Sequence, residues 1–286
     1  MVQHLQLGLM TLVLTTLPLP GQEPVQPEPG PEVVAPPSEA PATGLKAVPR
    51  ILLDDTVFIL KAPAHWESRD WLHAGEGFAA VVGTALLLDI PVRDEAQRHR
   101  SPATDKVALQ IQNFGASYAL GVVGGFWVYG KLAGDPEAVA TGLDAAEASL
   151  IAGGVIGPLL KTAIGRSRPY QQEGAFHFRP FGGGMSAPSG HTTEAFTVAE
   201  VISEHYPQVW VRGLTYGVAT LVGLARIQQN AHFASDVVSG ALLGTLVGRT
   251  VLLRNQGRRG GPGRLKVVLK PSVGPGYQGA TLSMQF

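Results

Sequence analysis

A succession of six apolar segments, rich in small residues and separated by Gly, Pro or polar breaks, dominates the chain. All of them have the length of a helix rather than that of a strand. They predict an all-α fold, a helical bundle of about six helices, in one domain over residues 50–256. The segments are residues 75–90, 114–134, 136–165, 191–205, 211–227 and 233–253.

The composition of the segments bears on whether they span a bilayer. Asp144 and Glu147 lie in the third segment, and Glu194, Glu200 and other polar residues lie in the fourth. Charges at bilayer depth are costly, so these residues favour a soluble or peripheral bundle. The fifth and sixth segments could pass as short spans, and an integral membrane bundle is therefore kept as the alternative.

The residues before the bundle predict export. Residues 1–21 are predicted to be a signal peptide, although no Lys or Arg precedes the apolar stretch and no cleavage site is evident, so an uncleaved anchor stays open. Residues 22–49 are predicted to be a disordered linker, because they are rich in Pro and Glu and can bury little apolar surface. A folded domain on such a tether is typical of the periplasm or cell envelope.

The tail, residues 257–286, predicts a Gly/Arg-rich turn followed by a small C-terminal β-hairpin. Residues 265–269 and the alternating apolar positions Leu282, Met284 and Phe286 would form its two strands. The arginines favour a solvated tail over a binding patch for lipid headgroups. Contact of the protein with a membrane surface is nevertheless kept open.

Charge and cysteine content exclude several classes of function. Lys and Arg together number 22, as do Asp and Glu, so net charge offers no argument for a nucleic-acid partner. The chain has no cysteine, which excludes disulfides, thiolate metal sites and a cysteine nucleophile. Oligomeric state is not predicted by any of these features.

Three short clusters carry the candidate chemistry. In the first, residues 161–169, Lys161 and Arg168 are two helical turns apart and are predicted to share a helix face up to the break at Pro169. Two cations on one helix face repel each other unless an anion lies between them, so the pair predicts an anion-binding site. By itself, the cluster would equally suit a basic helix end.

The second cluster, residues 186–192, follows a run of glycines and is predicted to open a helix. Ser189 is a typical N-cap residue, Gly190 lets backbone approach a ligand, and free amides at a helix start bind anions. His191 would lie at the rim of such a site, where it could give a proton. A capped helix with a surface histidine is the structural alternative.

The third cluster, residues 226–236, lies between two apolar segments and contains Arg226, His232 and Asp236. His232 and Asp236 are four residues apart, so on a helix the carboxylate would accept the Nδ1 proton of the imidazole. That tautomer leaves the Nε2 lone pair free for nucleophilic attack.

Together the clusters resemble the type-2 phosphatidic acid phosphatase superfamily, which includes bacterial acid phosphatases and vanadium haloperoxidases. Its signature is Lys, six residues, Arg-Pro; then Pro-Ser-Gly-His; then Arg, five residues, His, three residues, Asp. Residues 161–169, 188–191 and 226–236 match it in type, spacing and order. Ala187 and Ala225 depart from residues common in the family, which affects the subfamily rather than the chemistry.

The resemblance implies a metal-independent phosphatase acting on phosphate monoesters or lipid phosphates and pyrophosphates. Lys161, Arg168 and Arg226 would neutralise the phosphoryl oxygens. Ser189 and the Gly190 amide would donate hydrogen bonds to them. No cofactor and no metal are expected, because the cations already balance the substrate charge.

The resemblance also implies the catalytic residues. His232 would attack phosphorus and form a phosphohistidine, held by Asp236, and His191 would protonate the leaving oxygen and then activate water. A haloperoxidase would instead bind vanadate in the same cradle. A non-catalytic anion-binding protein would be expected to have lost His232 or Asp236, and both are present.

Overall fold

The structure is a computed structural model that describes residues 10–14, 48–260, 266–274 and 277–285. The helices up to Arg254 form one compact unit, and the strands belong to a second. The helices are α1 (Val48–Lys61), α2 (Ser68–Leu87), α3 (Asp89–Arg98), α4 (Pro102–Ile111), α5 (Ser117–Ala133), α6 (Pro136–Ser149), α7 (Gly157–Ile164), α8 (Gly190–His205), α9 (Val209–Gln228) and α10 (Ala234–Arg258).

The helical bundle confirms the predicted all-α class, but the predicted number of about six helices is wrong. The described residues contain ten α-helices, besides short 3-10 turns. A search for apolar runs overlooks α1, α3 and α4 because charged residues interrupt their apolar positions. Such helices are held by packing along one face, which apolar content alone does not reveal.

The predicted helix over residues 136–165 is continuous but changes pitch in its middle. Leu150–Ile156 is a π-helical turn between α6 and α7. Pro158 lacks the N–H that would bond the carbonyl four residues earlier, and the wider turn accommodates this loss. The helix ends at Ile164, where Gly165 adopts a left-handed φ of 62°.

Close packing of α8 on α10 brings the second and third clusters together. A Cβ atom at Gly240 would lie 2.7 Å from the Ser189 carbonyl oxygen, and one at Gly244 would clash with the Thr193 carbonyl oxygen. Only glycine permits this approach of the two backbones. The apolar core beside this contact includes residues of α6, α8 and α10, among them Ala145, Ala148, Val198, Val201, Val247 and Val251.

Two helices in the described residues are long and apolar enough to span a membrane: Pro136–Ile164 and Ala234–Arg258. The bent pair of α2 and α3 would make a third if it counts as one span. Asp144 counted against the third segment as a span, but that segment passes by length and composition. Asp144 is buried, and its Oδ2 lies 2.9 Å from His205 Nε2, so this acid is paired inside the protein. The sixth segment passes as predicted, whereas α9 is not among the candidates.

The second unit contains a small antiparallel sheet of three strands in the order β1-β3-β2, where β1 is Met10–Leu14, β2 is Lys266–Gly274 and β3 is Tyr277–Gln285. β2 and β3 pair with each other, but as part of this sheet rather than as the two-stranded hairpin that the tail predicts. The third strand comes from the predicted signal peptide, which the alternation in the tail alone could not indicate.

Several sequence predictions lie outside the described residues. They include most of the signal peptide, nearly all of the linker and residues 261–265 of the Gly/Arg-rich turn. The helical domain begins at Val48, two residues before its predicted start, and α10 ends at Arg258.

Candidate active site

The first cluster is divided between a helix end and the loop that follows it. Lys161 lies in the last turn of α7, and its Nζ donates to the carbonyl oxygens of Met185 (3.0 Å) and Pro188 (2.5 Å). Arg168 follows the helix in extended backbone before Pro169. The prediction that Lys161 and Arg168 share a helix face is therefore wrong, because α7 ends at Ile164.

The second cluster forms the start of α8, as predicted. Ser189 occupies the N-cap position and α8 begins at Gly190, but the Ser189 hydroxyl makes no capping hydrogen bond. That hydroxyl is buried and accepts a hydrogen bond from Thr192 Oγ1 (2.9 Å), which leaves its own proton available. A Cβ atom at Gly190 would lie 3.8 Å from Lys161 Cε, so the helix start faces the first cluster.

The third cluster is not on one helix. Arg226 lies in the last turn of α9, His232 in the connection to α10, and Asp236 in the first turn of α10. The Nδ1 of His232 is 3.8 Å from Asp236 Oδ2, which is longer than a hydrogen bond. The prediction of a helical i,i+4 pair is wrong, although the two side chains are neighbours. The Asp236 carbonyl accepts the Ser189 amide (2.9 Å), which joins the second and third clusters.

Arg226 is buried and only partly satisfied. Its Nη1 donates to the side-chain oxygens of Gln112 and Gln229. Its Nε and the Gln229 Nε2 are buried donors without a partner among the described residues. A buried unpaired donor costs about 1–3 kcal/mol, so an anion that accepts from them would be stabilised.

The charges around His191 show that the clusters converge. The pKa of His191 is lowered to about 4, first by burial and then, in decreasing order of effect, by Arg226, His232, Arg168 and Lys161. Like charges act in this way only at short range. An anion bound among these groups would have the opposite effect and raise the pKa of His191, because it attracts the imidazolium form.

His232 is buried and is held neutral. Its pKa is lowered to about 4, mainly by burial; Asp236 acts in the opposite direction, and Lys161 and Arg168 add to the lowering. A neutral imidazole has a free lone pair, as a nucleophile requires. Near neutral pH the arrangement therefore offers an uncharged imidazole close to the cationic side chains of Lys161 and Arg168.

A buried ionic network behind His232 was missed by the sequence analysis. Arg166 donates to Asp236 Oδ1 (2.6 Å) and Asp89 Oδ2 (2.6 Å), and its guanidinium lies 4.4 Å from the centre of the Phe233 ring. Ser186 Oγ donates to Asp236 Oδ2 (2.5 Å). The available signals were weak: Arg166 and Ser186 lie within the first two clusters, and Asp89 is a lone acid at the end of an apolar segment.

In residues 48–260, no group of three or more His, Asp or Glu side chains is placed to hold a metal ion. The polar groups around His232 and His191 are mostly donors and cations, which suit an anionic ligand.

Comparison with known proteins shows which protein family the part of the chain with the three clusters matches. Residues 145–259 match the model of the PAP2 superfamily. This part of the chain is therefore a PAP2 superfamily domain, which confirms the resemblance, and all three clusters lie within it.

Curated relatives match over part of their length. Two are lipid A 1-phosphatases of Rhizobium etli and Rhizobium johnstonii, each 34% identical over 101 residues, which are 34% of this chain and 43% and 41% of theirs. A third, the lipid A 1-phosphatase of Porphyromonas gingivalis, is 45% identical over 65 residues, 22% of this chain and 15% of that protein. The chain thus matches less than half the length of these relatives.

Two solved structures are similar to the chain. LpxE of Aquifex aeolicus is 25% identical, with a TM-score of 0.46, over 58% of this chain and 95% of that one. A transmembrane PAP2 type phosphatidylglycerolphosphate phosphatase of Bacillus subtilis is 23% identical, with a TM-score of 0.41, over 77% of this chain and 100% of that one.

Proposed function

We propose that the chain is a phosphatase that hydrolyses lipid phosphates at a membrane through a phosphohistidine on His232. The observation that carries the proposal is the convergence of the three clusters: Lys161 Nζ donates to the Pro188 carbonyl, and the Ser189 amide donates to the Asp236 carbonyl. Lys161 and Arg168 thus act on both His191 and His232, and Arg226 acts on His191. Three cations around two neutral imidazoles suit a phosphoryl dianion and supply what phosphoryl transfer needs, namely positioning and charge stabilisation.

In the first step the substrate phosphoryl group lies among Lys161, Arg168 and Arg226, and Ser189 and the Gly190 amide donate to its oxygens. The unpaired Nε of Arg226 supports this placement, because a phosphoryl oxygen would satisfy it. The start of α8 contributes its free amides in the same direction.

His232 then attacks phosphorus through Nε2 while the bond to the leaving oxygen breaks. Its Nδ1 proton needs an acceptor, and Asp236 Oδ2 is the neighbouring carboxylate oxygen, 3.8 Å away. Catalytic hydrogen bonds are often long without substrate and shorten in the complex. The carboxylate thereby stabilises the positive charge that develops on the imidazole.

His191 supplies and recovers the proton. Bound phosphate raises its pKa, so it is protonated when the leaving oxygen needs a proton. Once neutral, it accepts a proton from the water that attacks the phosphohistidine, which releases inorganic phosphate and restores His232. Both half-reactions therefore use the same two histidines.

Lipid substrates are favoured over soluble ones. The curated relatives are lipid A 1-phosphatases, and two helices of this chain meet the length and composition of membrane spans. Large apolar side chains are also exposed on the outside of the bundle, among them Phe78, Leu120, Leu132, Trp210 and Leu246. A lipid environment would cover such a surface. Export to the periplasm or cell envelope is proposed with it.

The direct test is phosphate release. The purified chain in detergent is expected to release phosphate from lipid A 1-phosphate or phosphatidate faster than from soluble sugar phosphates. Activity should persist in excess chelator, because Lys161, Arg168 and Arg226 supply the positive charge. Vanadate should inhibit as a mimic of the five-coordinate phosphoryl group. Activity that a chelator abolishes and magnesium or zinc restores would contradict the mechanism.

Membrane integration predicts how the protein fractionates. The full chain should stay with the membrane pellet after washing with high salt and with alkaline carbonate, and detergent should release it. Two apolar helices cannot leave the bilayer without exposing their surface to water. Release by salt alone would indicate a peripheral bundle and would contradict the embedded form of the proposal.

A further inference from the structure

Asp89 is a fully buried carboxylate that lies outside the three clusters and outside the matched PAP2 region. It is the first residue of α3, where the chain bends by 53° after α2. Its Oδ2 accepts from Arg166 Nη2 (2.6 Å) and Ser235 Oγ (2.7 Å), and its Oδ1 accepts from the Ser235 amide (2.8 Å). Both oxygens of Asp89 are thus engaged by groups next to the candidate site.

Arg166 transmits this contact to Asp236. Its Nη1 donates to Asp236 Oδ1 (2.6 Å) and to Ser235 Oγ (2.7 Å), while its Nε and Nη2 donate to the Ala175 carbonyl (3.0 and 2.6 Å). The guanidinium is only 3% exposed. A rigid guanidinium bonded on every side fixes the direction of both carboxylates.

Ser235 gives Asp89 a second route to the site. The amide of Ser235 lies in the first turn of α10, where amides have no partner within the helix. Asp89, from another helix, accepts this amide and so fixes where α10 begins. His232 precedes this turn and Asp236 lies within it, so the position of the turn sets the distance between the two side chains.

The charges in the network favour a cationic His232. Asp89 and Asp236 share the single positive charge of Arg166, so the buried group carries one excess negative charge. Asp236 Oδ1 is bonded to Arg166, while Oδ2 is the oxygen nearest His232 Nδ1. Without the charge of Asp89, the guanidinium would neutralise Asp236 fully and weaken its attraction for an imidazolium.

We infer that Asp89 is a positioning residue for phosphoryl transfer, which acts through Arg166 and Ser235 to hold Asp236 and the His232 turn in place for attack. The inference rests on the proposed function and adds to it a contribution of α3. Asp89 does not touch the phosphoryl group, so we expect no effect on substrate binding. It orients Asp236 and the turn that carries His232, which act during attack, so we expect its effect on the transition state.

The test is the Asp89→Asn variant of the full chain in detergent. It is assayed on whichever of lipid A 1-phosphate and phosphatidate the wild type hydrolyses faster. We expect kcat to fall by about 10²-fold, as for a catalytic group displaced by about 1 Å, and KM to stay within about twofold. The inhibition constant of vanadate should rise in proportion to the loss of kcat, because vanadate mimics the transition state. Asp89→Glu, which keeps the charge, should recover part of the lost kcat.

Asp55→Asn is the matched control. Asp55 is also fully buried and is paired with an arginine, Arg254, at 2.5 Å, and neither residue belongs to the three clusters. It should lower thermal stability without changing kcat or vanadate inhibition. If Asp89→Asn behaves like Asp55→Asn, or lowers kcat only together with a raised KM, the positioning role is overturned.

Ser235→Ala keeps the inference testable if Asp89→Asn does not fold. It removes the hydroxyl between Asp89 and Arg166 without changing any charge, and we expect kcat to fall by roughly tenfold at constant KM, within the range for residues that orient catalytic groups. An unchanged kcat would overturn the inference. A wild-type chain without turnover on any phosphate would contradict the proposed function itself, whereas an active wild type with unaffected variants contradicts only the role of Asp89.

Discussion

A His232→Ala variant is expected to lose turnover by about 10⁴-fold or more, because removal of a nucleophile leaves only the contribution of binding and charge stabilisation. Brief mixing of the wild type with ³²P-labelled substrate should leave label on the protein that is lost in acid and kept in base, as for a phosphohistidine. The variant should carry none. The measurements are phosphate release at saturating substrate and the label retained after rapid quenching.

His177→Ala provides the control for this experiment. His177 lies in the loop between α7 and α8, and its ring contacts Ser167 and Glu173, neither of which is a proposed catalytic or phosphate-binding residue. It should keep both turnover and label near the wild-type level. Label that appears equally in the His232→Ala variant would show that another residue receives the phosphoryl group, and the mechanism would then be wrong.

A His191→Ala variant should lose activity to an extent that depends on the leaving group. An alkoxide needs a proton as its bond to phosphorus breaks, whereas nitrophenolate leaves nearly unassisted. We expect the loss on an alkyl phosphate to exceed the loss on nitrophenyl phosphate by roughly 10²-fold to 10⁴-fold, which is what general acid catalysis supplies. The measurement is the rate of each substrate with each variant, under conditions in which the first chemical step limits the alkyl reaction.

His232→Ala is the comparison variant here, because loss of the nucleophile should affect both substrates alike. Equal losses on both substrates in His191→Ala would mean that His191 binds phosphate or shapes the start of α8, and that the proton comes from another group. The low pKa of His191 makes the experiment informative, since the imidazole acts as an acid only if the bound anion raises its pKa.

The resemblance of the three clusters to a family signature sufficed to predict the class of the domain. It also supplied the candidate site residues, among them Lys161, Arg168, Ser189 and Arg226, without coordinates, and their roles stay predictions. The all-α class was also predictable, because the apolar segments have the length of helices and lack the alternation of apolar and polar residues that is typical of half-buried strands. The number of helices could not be predicted in this way, because α3 and α4 contain charged residues among their apolar ones.

Local geometry around the clusters was predicted less well. Lys161 and Arg168 were expected on one helix face, but Gly165 ends α7 between them. His232 and Asp236 were expected on one helix, but α10 begins at Ala234. In both cases two residues have a spacing that suits one helix, but a helix end lies between them. Only the packing around that position decides whether the helix continues or ends.

The sequence by itself determined the class of the domain and the candidate residues for its chemistry, namely three cations, two histidines and an aspartate on a helical bundle. Only the tertiary structure decided what supports that chemistry. Asp89 and Arg166 are 77 residues apart in sequence, and nothing in either neighbourhood predicts that they pair behind Asp236. The physical reason is that a buried ion pair forms wherever two distant elements exclude water from opposite charges, so it depends on packing and not on local sequence.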